Sequence, residues 1–481
     1  MSNLRFIVIG AGMSGILSVI RLREAGYTNI TVYEKAEKLG GTWRENTYPG
    51  IACDVPAHLY TYSFAPNPDW SHRFAPGDEI QAYFEAVAQR YDVLPVIRFN
   101  EEITRCEFRD HRWHVTTSTG RQDTAHVIIA ATGVLHHPNI PHFQGIESFR
   151  GASFHSARWD HAVPLAGKRV GVIGTGSTAV QIVADLANKA EQIVMFQRTP
   201  QWVMKQDNPA YSAAERANFH DHPEILRHMH AQMSESFSSM FSSAVIDADS
   251  PIMAAIEAAC RENLASVRDP VLRAQLTPDY RAACKRLIMS PDFYDAIQQP
   301  GASLVTSGIE RVEPSGVRTV DGKLHELDVL VLATGFRPDR FIRPTTVIGP
   351  HGRSLEDAWT PRPDAYLSIS IPGFPNLFML NGPNGPVGNF SLIEVAELQC
   401  NYILQLVAHI ASGNCREIAP TREATDAFEA ERVEAARHTI WTTGCRSWYL
   451  DDRGVPASWP FRFERFREEM AQPDFAAFEM R

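Results

Sequence analysis

The stretch Phe6-Ile-Val-Ile9-Gly10-Ala-Gly12-Met-Ser14-Gly15, with Ile30-Thr-Val-Tyr33-Glu34-Lys35 after it, decides the fold of this chain. Four apolar residues without alternation read as a strand covered on both faces. The glycine spacing lets backbone approach a pyrophosphate at the start of a helix, which the apolar pattern predicts over residues 16–25. Glu34 closes the next strand where a carboxylate binds ribose hydroxyls. The result is one βαβ unit, and Gly10, Gly12, Ser14, Gly15, Glu34 and Lys35 are its candidate nucleotide-binding residues.

The same order recurs. Arg169-Val-Gly-Val-Ile173 leads into Gly174-Thr175-Gly176-Ser177-Thr178-Ala179, then a helical pattern and Gln192-Ile-Val-Met-Phe196. Arg198 stands as far beyond Gly174 as Glu34 stands beyond Gly10. An acid at that offset suits a free 2′-hydroxyl, whereas an arginine suits a 2′-phosphate. Arg198 and Thr199 therefore point to NADPH. Two further segments, Val127-Ile-Ile-Ala-Ala-Thr132-Gly133 and Leu330-Val-Leu-Ala333-Thr334-Gly-Phe336, read as strands ending in Ala-Thr-Gly, where backbone passes close to a cofactor or a crossing chain.

The expected fold is α/β, with two Rossmann-like dinucleotide domains and a helical insertion in the second. The expected division is 1–145 and 344–481 for the first dinucleotide domain, 146–207 and 281–343 for the NADP domain, and 208–280 for the insertion.

The chain has 481 residues, 44% of them hydrophobic and 21% charged, which suits two or three ordinary domains. A net charge of −10 gives no basic field for nucleic acid. The apolar start, Phe6–Ile20, is too short to span a membrane and carries three glycines. A cytoplasmic protein without a membrane or nucleic-acid partner is expected, with monomer and homodimer both open. Seven cysteines with no Cys-x-x-Cys argue against a disulfide framework and against a zinc site. His220, His222, His228 and His230 suggest a metal only on paper, because residues two apart on a helix face different directions. No metal is expected.

Longer patterns are more specific. Phe149-Arg-Gly151-Ala-Ser-Phe-His155-Ser-Ala-Arg-Trp159-Asp160 resembles the fingerprint of type I Baeyer–Villiger monooxygenases. Gly41-Thr42-Trp43-Arg-Glu-Asn-Thr-Tyr48-Pro49-Gly50-Ile-Ala-Cys53-Asp54 resembles the same family's other long pattern. Gly382-Pro383-Asn384 and Ser447-Trp448-Tyr449 also match family segments. The resemblance implies FAD and NADPH as cofactors and insertion of one oxygen atom of O2 beside a ketone carbonyl, through a flavin C4a-peroxide, to give an ester or lactone.

The resemblance also assigns roles. Arg286, in Cys284-Lys285-Arg286, is the expected active-site cation, since a guanidinium keeps its charge in a dry pocket. Asp54 is expected to hold it by a charge-assisted hydrogen bond. Lys285 joins Arg198 and Thr199 at the 2′-phosphate. Trp43, Tyr48 and Tyr60 are expected around the flavin, Trp448 over NADP+, and His155 with Trp159 at the domain junction. Asn389 and Ser368 depart from common family residues, histidine and glycine, in loops expected to line the substrate pocket. Two other readings remain: a flavin-containing monooxygenase oxidising the nitrogen or sulfur of an amine or thioether, and an NADPH-dependent flavin reductase without oxygenation.

Overall fold

The computed structural model describes residues 4–481. Its centre is a pair of five-stranded, all-parallel sheets built on one plan. The first has the order Leu377–Met379, Val127–Ala130, Phe6–Ile9, Ile30–Tyr33, Ile97–Arg98. The second has the order Ala302–Val305, Gln192–Phe196, Arg169–Ile173, Val329–Leu332, Ala152–His155. Phe6–Ile9 and Val329–Leu332 are buried at every position. This is what strands with helices or other layers on both faces require.

Each sheet receives its Ala-Thr-Gly strand after an antiparallel three-stranded meander: Ile103–Arg109, Arg112–Thr117 and Gln122–Ala125 in one, Ile309–Glu313, Gly316–Thr319 and Leu324–Glu326 in the other. The chain then returns to the first sheet. Leu377–Met379 adds as an edge strand, and the helix Leu392–Ala411 joins the apolar cluster formed with Met13–Glu24.

Between Gln192–Phe196 and Ala302–Val305 lie the helices Ala213–Asp221, Pro223–Phe237, Ser243–Ile246, Pro251–Ala265 and Pro270–Leu276. Ser212 and Glu215 form a capping box, and Ser250 and Asp269 cap Pro251–Ala265 and Pro270–Leu276, whereas Pro223–Phe237 and Ser243–Ile246 have no side-chain cap. Val203–Lys205 and Ile288–Ser290 pair in parallel at the base of this region. Of the four histidines, His220 meets Asp69 and His222 meets Glu224. No group of three or more potential metal ligands occurs among the described residues, and no described helix is long and apolar enough to cross a membrane.

The structure contains a disulfide, against the expectation from cysteine spacing. Cys284 and Cys445 are joined by a disulfide, with 6.1 Å between their Cα atoms, whereas the other five cysteines are buried and free. Spacing rules detect local cysteine pairs. These two are separated by 161 residues and meet only through tertiary packing.

The Ala-Thr-Gly ends are explained by a contact that occurs twice. The Gly10 N–H donates to Tyr33 O at 2.8 Å and the Ala131 N–H to Ile9 O at 2.9 Å. The Gly174 N–H donates to Phe196 O at 3.2 Å and the Ala333 N–H to Ile173 O at 2.9 Å. A Cβ on Gly10 would lie 2.7 Å from Ala131 O, and one on Gly174 would lie 2.2 Å from Ala333 O. Both glycines have positive φ, +98° and +129°. Gly174→Ala is expected to destabilise the protein by about 2–4 kcal/mol, from strain plus overpacking. Gly176→Ala, with nothing within 4 Å of the added carbon, is expected to cost no more than about 1 kcal/mol. Thermal denaturation of the two purified variants checks the contrast.

Candidate active site between two nucleotide units

Both glycine turns end in helices that lack a side-chain cap: Met13–Glu24 begins after Gly12, and Ser177–Leu186 after Gly176. Neither has an acidic residue in its first turn. Uncapped N-terminal N–H groups at the positive end of a helix suit a pyrophosphate. Around the first turn, Gly41 approaches Gly12 so closely that a Cβ on Gly41 would lie 3.1 Å from Gly12 Cα. Ser14 is buried and accepts from Asn381 Nδ2 at 3.3 Å, while the buried Asn381 Oδ1 has no partner. Glu34 Oε2 accepts from the Ala11 N–H at 2.8 Å, and Oε1 from the Ala36 N–H at 2.9 Å. Arg44 Nη1 lies 3.0 Å from Oε1. Lys35 and Thr42 are exposed beside this turn. A closely packed glycine cradle, an orphaned acceptor and a carboxylate at the strand end fit a flavin dinucleotide.

The second turn has the opposite charge. Arg198 is exposed, and Thr175 Oγ1 donates to Thr199 O at 2.8 Å. Lys285 Nζ stands 4.5 Å from the centroid of the Tyr280 ring. Its pKa is lowered by burial and by the Arg198 charge, with Asp279 opposing. Two cations that feel each other at the mouth of a nucleotide turn fit a 2′-phosphate. The space around Gly176 fits backbone approach to a pyrophosphate.

The segment from Tyr48 to Asp54 belongs to the first unit but docks on helix Ser177–Leu186 of the second. Tyr48 Oη donates to Gln181 Oε1 at 2.9 Å, and Gln181 Nε2 donates to Ala52 O at 2.9 Å. Thr178 Oγ1 lies 3.4 Å from Tyr48 Oη. A Cβ on Gly50 would lie 2.7 Å from Gln181 O. Tyr48 therefore packs in the core of the second unit, and burial pushes its phenol up to about 12. Gln181 carries this docking, yet no motif singled it out, because a glutamine within a helix has no signal of its own.

Docking brings Asp54 to Arg286: Arg286 Nη2 donates to Asp54 Oδ2 at 2.5 Å, with side chains 35% and 28% exposed. The pair is thus open on one side. The Asp54 carboxylate holds the guanidinium pKa above its ordinary value, against the cost of burial. Trp43 Nε1 donates to Tyr60 Oη at 3.2 Å, with the rings edge to face. Burial, Cys53 and Asp54 together raise the Tyr60 phenol above its usual range. Ala283, just before Cys284-Lys285-Arg286, has φ +62°, a strained value for a residue with a side chain.

The remaining candidates lie along the seam. Thr132 and Thr334 end the two crossing strands, and Thr334 Oγ1 donates to Asn139 O at 2.6 Å. His155 is 3% exposed, with Nε2 3.1 Å from Gly335 O and Nδ1 accepting from the Ala157 N–H. Trp159 meets Phe154 edge to face at 5.0 Å. Arg158, inside the fingerprint, pairs with Glu45 of the first unit. Trp448 is 42% exposed, while its neighbour Tyr449 is 3% exposed. Ser368 and Asn389 are fully buried rather than open to a cavity. Ser368 has φ +64°, which is why glycine suits that place.

Residues 3–214 match the flavin-binding monooxygenase-like family model. The chain is 46% identical over 476 residues to an uncharacterised monooxygenase of Mycobacterium tuberculosis, covering 98% of this chain and 95% of that one. It is 38% identical to a Baeyer–Villiger monooxygenase of Streptomyces coelicolor, covering 99% and 93%. Among solved structures, cyclohexanone monooxygenase from Rhodococcus sp. Phi1 bound to NADP+ superposes with a TM-score of 0.89 at 28% identity, covering 99% of each chain. The chain belongs to the Baeyer–Villiger monooxygenase family of flavoenzymes.

Proposed function

We propose that the enzyme binds FAD at the first glycine turn and NADPH at the second, and converts a ketone, O2, NADPH and a proton into an ester or lactone, NADP+ and water. The observation that carries this reading is the Asp54–Arg286 pair, assembled at the seam of the two nucleotide units and open on one face. Bound FAD supplies the electrons that activate O2, and NADPH supplies the hydride that replenishes them.

The protein's own part is electrostatic. With these groups bound, Arg286 would set a fixed positive charge against the oxygen that attacks the carbonyl and against the carbonyl oxygen as it gains negative charge. Five N–H donors and a permanent charge let it do both without a proton transfer. Asp54 orients the guanidinium and keeps it charged. Trp43 and Tyr60 wall this side against water. Arg198, Thr199 and Lys285 bind the 2′-phosphate, and the exposed Trp448 indole covers the nicotinamide nucleotide. The substrate is a small-molecule ketone, and the protein acts in the cytoplasm.

The match to the broader flavin-binding monooxygenase-like model favours a second reading, oxidation of thioethers or amines. That chemistry needs no anionic attack, so it depends less on Arg286. Arg286→Ala is expected to lower ester formation at least about a hundredfold while NADPH still reduces the flavin. Product analysis over a ketone and thioether panel checks this. No ester from any ketone with wild-type enzyme, beside S-oxide formation that Arg286→Ala spares, would establish the second reading instead.

The 2′-phosphate assignment has its own test. Arg198→Ala and Lys285→Ala are each expected to raise KM for NADPH roughly ten- to hundredfold, the value of a charged hydrogen bond, and to leave NADH use unchanged. Steady-state kinetics with both nucleotides reads the difference.

A further inference from the structure

The segments that carry Arg286 and Trp448 are covalently linked. Cys284, two residues before Arg286, is joined to Cys445, three residues before Trp448. Both cysteines lie in one apolar cluster with Ile440, Trp441 and Tyr449 and with Met253 and Ile256 of the helical insertion. Within residues 442–448, Cys445 is the single buried residue. Among the described residues, no backbone N–H from Gly444 to Trp448 donates to another backbone group. This stretch has no anchor in the fold other than Cys445.

Past Trp448 the chain is held again. Tyr449 is 3% exposed and packs on Trp441, at 5.6 Å between ring centroids. The Ala457 N–H donates to Tyr449 O at 2.6 Å and the Asp451 N–H to Val455 O at 2.8 Å, which close a short hairpin. The fully buried Arg432 pairs with Glu429 and donates to Pro456 O and Ser458 O, fixing the far end of that hairpin. The Trp448 ring lies 4.1 Å from the Tyr449 ring and stays 42% exposed. It is therefore held from one side by the hairpin and from the other by a single covalent bond.

We propose that Cys284–Cys445 is a redox latch on nucleotide binding. Oxidised, it holds residues 442–448 so that Trp448 covers the nicotinamide nucleotide. Reduced, it frees that stretch, and affinity for the nucleotide falls by the fraction of time the stretch is open. A disulfide in a cytoplasmic protein is as a rule transient or redox-sensing, because that compartment keeps thiols reduced. Cys445 is the outer half of the bond, 7% exposed between the exposed Gly444 and Arg446, whereas Cys284 is fully buried. The reductant is a dithiol. Its thiolate attacks Cys445 Sγ, the S–S bond breaks, and the Cys284 sulfur leaves with the electron pair and takes a proton. The second thiol then displaces Cys445 and closes the reductant's own disulfide. The latch rests on the readings of Trp448 and of the cytoplasm given above.

The test uses FAD-loaded enzyme before and after treatment with dithiothreitol, which is then removed anaerobically, beside Cys445→Ser and Trp448→Ala. Peptide mass spectrometry without reduction is expected to find the Cys284–Cys445 cross-link in untreated enzyme. Two readouts need no turnover: the Kd of NADP+, and the rate of tryptic cleavage after Arg446. Reduction is expected to raise both about tenfold, as for a stretch closed roughly a tenth of the time. Oxidised glutathione restores both by the reverse exchange. Cys445→Ser is expected to show the reduced values and to ignore dithiothreitol. Trp448→Ala is expected to bind NADP+ weakly in either state.

Free thiols at both cysteines in untreated enzyme would overturn the proposal. So would cleavage after Arg446 that is the same in both states. If Trp448→Ala weakens NADP+ binding but reduction does not, the latch fails and the Trp448 reading stands. If Trp448→Ala binds NADP+ as wild type does, the Trp448 reading fails and the latch on nucleotide binding falls with it.

Discussion

The strap from Tyr48 to Asp54, laid across helix Ser177–Leu186, is the contact on which the rest of the active site depends. It consists of two hydrogen bonds to one glutamine and a glycine with no room for a side chain beside the helix backbone. Each link is modest alone, roughly 1 kcal/mol for a neutral hydrogen bond. Together they fix where one nucleotide unit sits against the other. Asp54 lies at the end of the strap, so its position relative to Arg286 follows from this docking. The fingerprint segment reinforces the seam from the other side, with Arg158 on Glu45 and His155 on the backbone of the second Ala-Thr-Gly crossing.

The two units solve the same problem in the same way and then diverge in charge. In both, the carbonyl of an alanine presses against the first glycine of the turn, so the glycine serves the protein's own packing as well as a ligand. In both, the helix N-terminus is left uncapped. The strand that follows carries Glu34 in one unit and leads to Arg198 in the other, with Lys285 added from a distant segment. A common backbone thus carries opposite charge at its two turns.

The arginine itself is held by elements that carry local cost. Ala283 is in a left-handed conformation, and the Asp54 pair takes two charges partly out of water. The Cys284–Cys445 bond supplies rigidity beside the arginine. A cation that must meet a transient negative charge gains from such preorganisation, because little reorganisation is left for the reaction step.

The residues by themselves determined the two Rossmann units, because a glycine turn between an apolar strand and a helix is a local pattern with a local physical cause. They also determined the nucleotide charge preference, since Glu34 and Arg198 lie at equal offsets from their turns. Arg286 and Asp54 were legible only through resemblance to long family patterns, for nothing within Cys284-Lys285-Arg286 separates it from a solvated surface pair. Gln181 and the disulfide partner of Cys284 were not legible as site residues at all. Their roles arise from contacts across more than a hundred residues of chain, and only tertiary packing decides which side chains those are.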